Sequence, residues 1–137
     1  IDTEPVWSDK GQSIIFTSDR GGSPQIYEVA ATGGKPRRIT FEGQYNAAPS
    51  VSPDGKYIAM VYGDAGQYKI AQLERDTGNL TLLTDSSPDE SPSFSPNGKM
   101  VLYASTRGDN GVPYAVSVDG RGTHTLSHHT GALRGSG

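Results

Sequence analysis

The apolar residues of this chain fall in short runs bounded by turn residues, as in Ser13-Ile14-Ile15-Phe16 and Ile58-Ala59-Met60-Val61. Runs of that length predict short strands, and a continuous apolar run fits a strand buried on both faces. The first segment of the chain reads as four such strands, over 3–8, 13–18, 25–30 and 37–40. Asp9-Lys10-Gly11, Asp19-Arg20-Gly21-Gly22-Ser23 and Thr32-Gly33-Gly34-Lys35 are the turns between them, where glycine permits backbone reversal. The same parse continues over 57–61, 68–73 and 80–84, and again over 100–105, 113–118 and 123–127.

This pattern is written three times. Pro5-Val6-Trp7-Ser8-Asp9-Lys10-Gly11 returns as Pro49-Ser50-Val51-Ser52-Pro53-Asp54-Gly55 and as Pro92-Ser93-Phe94-Ser95-Pro96-Asn97-Gly98, at spacings of 44 and 43 residues. Ile39-Thr40, Leu83-Thr84 and Leu126-Ser127 keep the same spacing, and Ser18-Asp19-Arg20-Gly21 returns as Ser105-Thr106-Arg107-Gly108. A period of about 40 to 45 residues, with four strands in each copy, marks the propeller blade, which buries its faces against its neighbours. The expected fold class is therefore all-β: three four-stranded antiparallel blades, half of a six-bladed propeller. They run approximately over 1–43, 44–86 and 87–127, with 128–137 as a tail or linker.

Composition changes this picture little. Among 137 residues, 18 Gly and 9 Pro suit a turn-rich β-protein, and the repeat outweighs the low apolar content of 33%. A net charge of −3 with no basic run argues against a nucleic-acid partner. No apolar stretch approaches the roughly 18 residues of a membrane span, and no targeting signal is visible in this chain. The chain has no Cys, which excludes disulfides.

In an up-and-down blade the segments entering the innermost strands gather at one end of the ring. Here they are 1–4, 41–46 and 85–91, which place Asp2, Glu4, Tyr45, Asn46, Asp89 and Glu90 around a central channel. Arg20, Asp64 and Arg107 are expected farther out on the same face. An acidic rim of this kind holds a cation or accepts hydrogen bonds from a partner; the competing reading is a set of solvated turn caps. No twelve-residue calcium loop is present. His124, His128 and His129 lack convergent Cys or carboxylate spacing, so no metal site is assigned to them. Trp7 and Phe94 occupy equivalent inner-strand positions, where core packing is expected.

Propellers close with about 4 to 8 blades, so a three-blade arc presents two unpartnered blade faces. Homodimerisation into a six-bladed ring, or residence in a longer chain, is the expected remedy. The ending Gly135-Ser136-Gly137 stands where a fourth copy of the motif is due, and reads as a linker or engineered boundary.

Glu4-Pro5-Val6-Trp7-Ser8, Phe16-Thr17-Ser18-Asp19-Arg20-Gly21-Gly22, Pro24-Gln25-Ile26-Tyr27, Arg38-Ile39-Thr40-Phe41-Glu42-Gly43 and Asp89-Glu90-Ser91-Pro92-Ser93 together resemble the carboxy-terminal β-propeller of the TolB family of the Tol-Pal system. The resemblance runs from Ile1 to about Arg134. It implies a periplasmic, non-enzymatic six-bladed propeller that binds the peptidoglycan-associated lipoprotein Pal, is exploited by colicins, and can host calcium in its channel. By position it carries the Pal site to Thr3, Glu4, Tyr45, Asn46, Asp89, Glu90 and Ser91. The amino-terminal α/β domain and about half of the implied blades have no counterpart here.

Two other readings stand beside it. Prolyl-oligopeptidase-type serine peptidases carry similar propellers as substrate gates, but their Gly-x-Ser-x-Gly elbow is absent from this sequence. The other is an engineered, self-assembling half-propeller, for which the Gly-Ser-Gly end is the only sequence support.

Overall fold

The structure, a computed structural model, describes residues 2–84, 89–105, 112–118 and 123–125. They form three antiparallel sheets of four strands each, and every sheet takes its strands in chain order. The first blade contains β1 (Asp2–Trp7), β2 (Ser13–Ser18), β3 (Gln25–Ala30) and β4 (Arg37–Arg38). The second contains β5 (Tyr45–Val51), β6 (Tyr57–Asp64), β7 (Gln67–Glu74) and β8 (Leu80–Leu82). The third contains β9 (Asp89–Phe94), β10 (Met100–Ser105), β11 (Val112–Ser117) and β12 (Thr123–Thr125). Arg107, His128, His129 and the Gly-Ser-Gly end lie outside the described residues.

The recurring motifs are local hydrogen-bond devices. In the second blade Ser52 Oγ donates to Asp54 Oδ1 at 2.6 Å and accepts from Tyr57 N at 3.0 Å, while Lys56 N donates to the same Asp54 oxygen at 2.9 Å. Ser95 and Asn97 repeat the arrangement with Met100 N and Lys99 N. Gly55 and Gly98 sit at φ 76° and 74°, a region that glycine enters without a Cβ clash. The Ser-Pro-Asp/Asn-Gly string thus folds the turn from the first to the second strand by satisfying its backbone groups from within.

Outer strands β4 and β8 are shorter than the apolar pattern predicts. Thr40 Oγ1 accepts Ile26 N at 2.9 Å, and Thr84 Oγ1 accepts Ile70 N at 3.0 Å. A hydroxyl takes the place of a ladder carbonyl there, which ends the strand and keeps the buried amide paired.

The core lies between blades. Ile15 and Ile26 of the first blade meet Ile58, Met60, Ala71 and Leu73 of the second. Ala59, Val61, Ile70 and Leu83 on the opposite face of the second blade meet Val101, Tyr103 and Val116 of the third. Alternate residues of β6 therefore enter different cores, which is why its run Ile58-Ala59-Met60-Val61 is continuously apolar.

Trp7 departs from the expected core packing. Val51 packs into the first seam and Phe94 into the second, whereas Trp7 is 62% exposed. Its strand faces the side on which no described blade precedes it. Farther along that side, Arg20 lies over the rings of Phe16 and Tyr27, at 5.3 and 5.2 Å from their centroids. The guanidinium covers two large apolar side chains that would otherwise meet water.

Candidate protein-binding rim

The rim residues belong to the inner strands themselves. Thr3 pairs with Thr17, Tyr45 with Gly63, and Asp89 with Ser105, so the described ends of the expected entry segments are already part of β1, β5 and β9. Each inner strand then breaks its register just before or at the repeated proline: between Thr3 and Val6, between Ala47 and Ser50, and between Glu90 and Ser93. Glu4 and Ala48 stand at these bulges with φ 57° and 55°, each directly before a proline. Positive φ is unfavourable for a residue with a Cβ, and a following proline restricts the backbone further. Such a conformation persists where its surroundings hold it.

Part of the support comes from the neighbouring blade. Glu4 Oε1 accepts Ala48 N at 2.9 Å and Thr17 Oγ1 at 2.9 Å, and Ala48 N also approaches Thr17 Oγ1 at 3.2 Å. One exposed carboxylate on the first bulge thus ties down the second bulge, 44 residues along the chain. Asp2 is held by the Ser18 hydroxyl and by Arg20, whose Nη2 lies 2.7 Å from Asp2 Oδ2. Both contacts lower the Asp2 carboxyl below its usual range, so it stays ionised.

The predicted site residues fall into different environments. Thr3 and Glu4 are exposed at the start of β1. Tyr45 is half-buried and meets Tyr68 edge-on, with centroids 5.2 Å apart and planes at 83°. Burial raises its phenol above the ordinary value, and Glu4 and Tyr68 add to the shift. Asn46 is withdrawn from the rim: it is wholly buried, with Nδ2 donating to Gln25 Oε1 at 2.8 Å and to Glu42 O at 2.7 Å. Gln25 Oε1 also accepts the Thr40 hydroxyl at 2.7 Å, which makes a polar lock between the first two blades. Polar type suggests exposure for Asn46, but one of the partners that hold it inside, Gln25, comes from another blade, 21 residues away.

Asp89, Glu90 and Ser91 belong to β9, where the backbone places them opposite the end of β10; their side chains lie outside the described residues. Asp64 ends β6 and is exposed. Arg20, in the turn after β2 and so one strand outward from β1, reaches back to contact Asp2 directly. Its recurrence as Arg107 marked it in the sequence as a repeated position, without indicating the two rings beneath it.

The exposed residues present acceptors: the Asp2 carboxylate, the second oxygen of Glu4, and backbone at the strand starts. Among the described residues no group of three or more His, Asp or Glu is placed to hold a metal ion. Nor is any helix there long and apolar enough to cross a membrane. A channel calcium therefore finds no three-ligand cluster among these residues.

Three stacked antiparallel blades with bulged, polar inner-strand starts define a partial β-propeller. The chain belongs to the TolB beta propeller domain family, whose profile matches residues 1–136. It is 53% identical over 109 residues to the Tol-Pal system protein TolB of Xanthomonas campestris pv. campestris strain B100, covering 78% of this chain and 25% of that protein. It superposes on the crystal structure of TolB from Acinetobacter baumannii with a TM-score of 0.83 and 49% identity, over 90% of this chain and 31% of the other. The chain thus spans about a quarter of the length of the curated relatives it matches. A puromycin-hydrolysing peptidase from Mycobacterium tuberculosis shares the fold at a TM-score of 0.75 and 16% identity, over 91% of this chain and 22% of that one.

Proposed function

We propose that this chain is a non-enzymatic, protein-binding segment of a periplasmic Tol-Pal propeller, and that its rim binds a Pal-like peptidoglycan-associated lipoprotein, with colicins as competing ligands. The observation that carries the reading is the fixed, exposed start of β1. Glu4 holds its own bulge and the next one in place, and so presents Asp2, Thr3 and its own carboxylate on a rigid support. Preorganised polar groups set specificity, while an aromatic anchor such as Tyr45 contributes much of the energy. Asp89, Glu90 and Ser91 extend the rim at the corresponding positions of the third blade. Asn46 acts from behind, by fixing the seam on which Tyr45 stands.

The ring closes in this reading by further blades packing on both outer faces, to six in all. The exposure of Trp7, whose counterparts Val51 and Phe94 are packed, supports that closure. In a longer chain, flanking blades belong to the same polypeptide; the isolated 137-residue chain pairs with a second copy. Light scattering across a tenfold concentration range tests this. A species of twice 14.5 kDa is expected, and a folded monomer at all concentrations overturns the closure.

Binding is tested separately, by titrating the closed ring with the periplasmic part of Pal. Replacing Glu4 and Glu90 together by Ala is expected to weaken binding at least tenfold while the far-ultraviolet spectrum is retained. Unchanged affinity removes the acidic rim from the reading.

A further inference from the structure

The two seams of this arc are built from equivalent positions with different residues, and one of them leaves a space that the other fills. In the first seam Glu28 of β3 faces Arg75, which follows β7. Arg75 Nη2 lies 2.6 Å from Glu28 Oε2, and its Nη1 reaches Gly55 O at 3.4 Å. One repeat later, Gln72 stands in place of Glu28 and Val118 in place of Arg75. The backbone confirms the equivalence: Arg75 N donates to Lys56 O at 2.9 Å, and Val118 N donates to Lys99 O at 3.0 Å.

Where the Arg75 side chain lies in the first seam, the second holds a cavity of about 370 Å³. Gln72, Asp54, Tyr57, Asn97, Gly98 and Val118 are among its lining residues. Gln72 is 8% exposed, and its Oε1 accepts no hydrogen bond among the described residues, although its Nε2 donates to Val118 O at 3.3 Å. A buried acceptor left unpaired costs about 1–3 kcal/mol; Oε1 is closed off from solvent, so a donor entering the cavity recovers that cost once the Gln72 amide turns toward it. Charge points the same way. Asp54 occupies the position that Lys10 holds in the first blade, while Asn97 stands where the first seam has Asp54, so the carboxylate of this cavity is carried by the second blade and no ammonium faces it from that position. The Ser52 hydroxyl and the Lys56 amide keep that carboxyl below its usual range, hence ionised at neutral pH.

The geometry points to a binding site for a guanidinium group, carried on an arginine side chain of a partner polypeptide, in the cavity between the second and third blades. The incoming group takes the place that Arg75 takes one seam earlier. It donates to Gln72 Oε1 and to the Gly98 carbonyl, which replaces that of Gly55, and lies near the Asp54 carboxylate. The cavity is formed at the Ser-Pro-Asp/Asn-Gly turns, which follow the inner strands, whereas the rim lies at the strand starts. Occupancy there is separate from rim binding.

The test titrates the 137-residue chain with N-acetylarginine amide, and with the uncharged N-acetylcitrulline amide as control, following the side-chain amide of Gln72 and the backbone amide of Gly98 by NMR. Saturable shifts with the arginine compound alone are expected. Asp54→Asn should weaken them about tenfold. Val118→Arg should abolish them, because the new side chain fills the cavity itself, and adding Gln72→Glu to that variant should raise the melting temperature by restoring the first-seam pair. Equal response to both compounds, no response to either, or an unchanged affinity in Asp54→Asn overturns the site. If Val118→Arg does not fold, Asp54→Asn and the citrulline control still decide the question.

Discussion

The seam between the first and second blades and the seam between the second and third share one backbone plan, but they solve the same packing problem with different chemistry. The first buries Ile15, Ile26, Ile58 and Met60 and encloses two polar constellations, Gln25–Thr40–Asn46 and Glu28–Arg75–Arg37. The second buries Val61, Ile70, Val101 and Tyr103, with Gln72 and Val118 at the positions of Glu28 and Arg75. The repeat therefore specifies where side chains meet, and the individual residues decide whether a meeting point is an ion pair, an apolar contact or a cavity.

The largest effect should come from the apolar layer common to both. Ile58→Ala removes a wholly buried side chain from the first seam and should cost about 3–4 kcal/mol in chemical denaturation. Val101→Ala, at the equivalent position of the second seam, should cost on the order of 2 kcal/mol, because fewer methyl groups are lost. A reversed order would mean that the second seam carries more of the stability than its side-chain volumes indicate.

A smaller but more selective change is Arg75→Met. It leaves Glu28, whose side chain is 13% exposed, without its nearer cation, and should cost about 2–3 kcal/mol, below the loss for a fully buried pair because water and Arg37 still reach the carboxylate. Gln72→Met, at the position of the other seam that matches Glu28, should cost less than about 1 kcal/mol, since it removes one weak donor and also an unpaired acceptor. Equal losses at the two sites would erase the distinction between the seams. A double-mutant cycle on Glu28 and Arg75 isolates the pair itself.

Acid should separate the seams as well. Burial of Glu28 opposes its ionisation, but the Ser13 hydroxyl and Arg75 outweigh it, and the carboxyl ends below its ordinary value of 4.5. A folded-state value below the unfolded one means that Glu28 contributes stability above about pH 4.5 and loses it as pH falls through the lower folded value. Glu28→Gln should therefore flatten the decline of stability with acid relative to the parent chain. An unaltered profile would assign that decline to Asp2 and Asp54, which are depressed in the same direction.

A change of similarly small size is expected for Glu4→Ala, about 1 kcal/mol, for loss of the carboxylate that accepts Ala48 N and the Thr17 hydroxyl. Hydrogen exchange at Ala48 should rise more than at Ile58, because the bulge loosens while the core stays packed.

How far these features were legible in the sequence depends on their range. Strands β2, β3 and β10 match the apolar pattern closely, since each lies between strong turn signals. Strands β4 and β8 end early because Thr40 and Thr84 turn their hydroxyls onto the preceding strand, a substitution of side chain for backbone that an apolar run does not reveal. Among the candidate rim residues, the exposure of Glu4 was legible from its place in the segment entering the first inner strand. The burial of Asn46 was not, since residue type and loop position both suggested exposure. The pairing of Arg75 with Glu28 spans 47 residues and leaves no local trace at all.

By itself, the sequence determined the number of repeats, their phase, the turn chemistry and the all-β class, because those follow from contacts among residues a few positions apart. Tertiary structure alone decided which polar residues became buried locks, why Trp7 is exposed while Val51 and Phe94 are packed, and where a cavity opens. Those outcomes depend on which side chain arrives from the next blade, some 44 residues away, and whether its size and charge match the one already there.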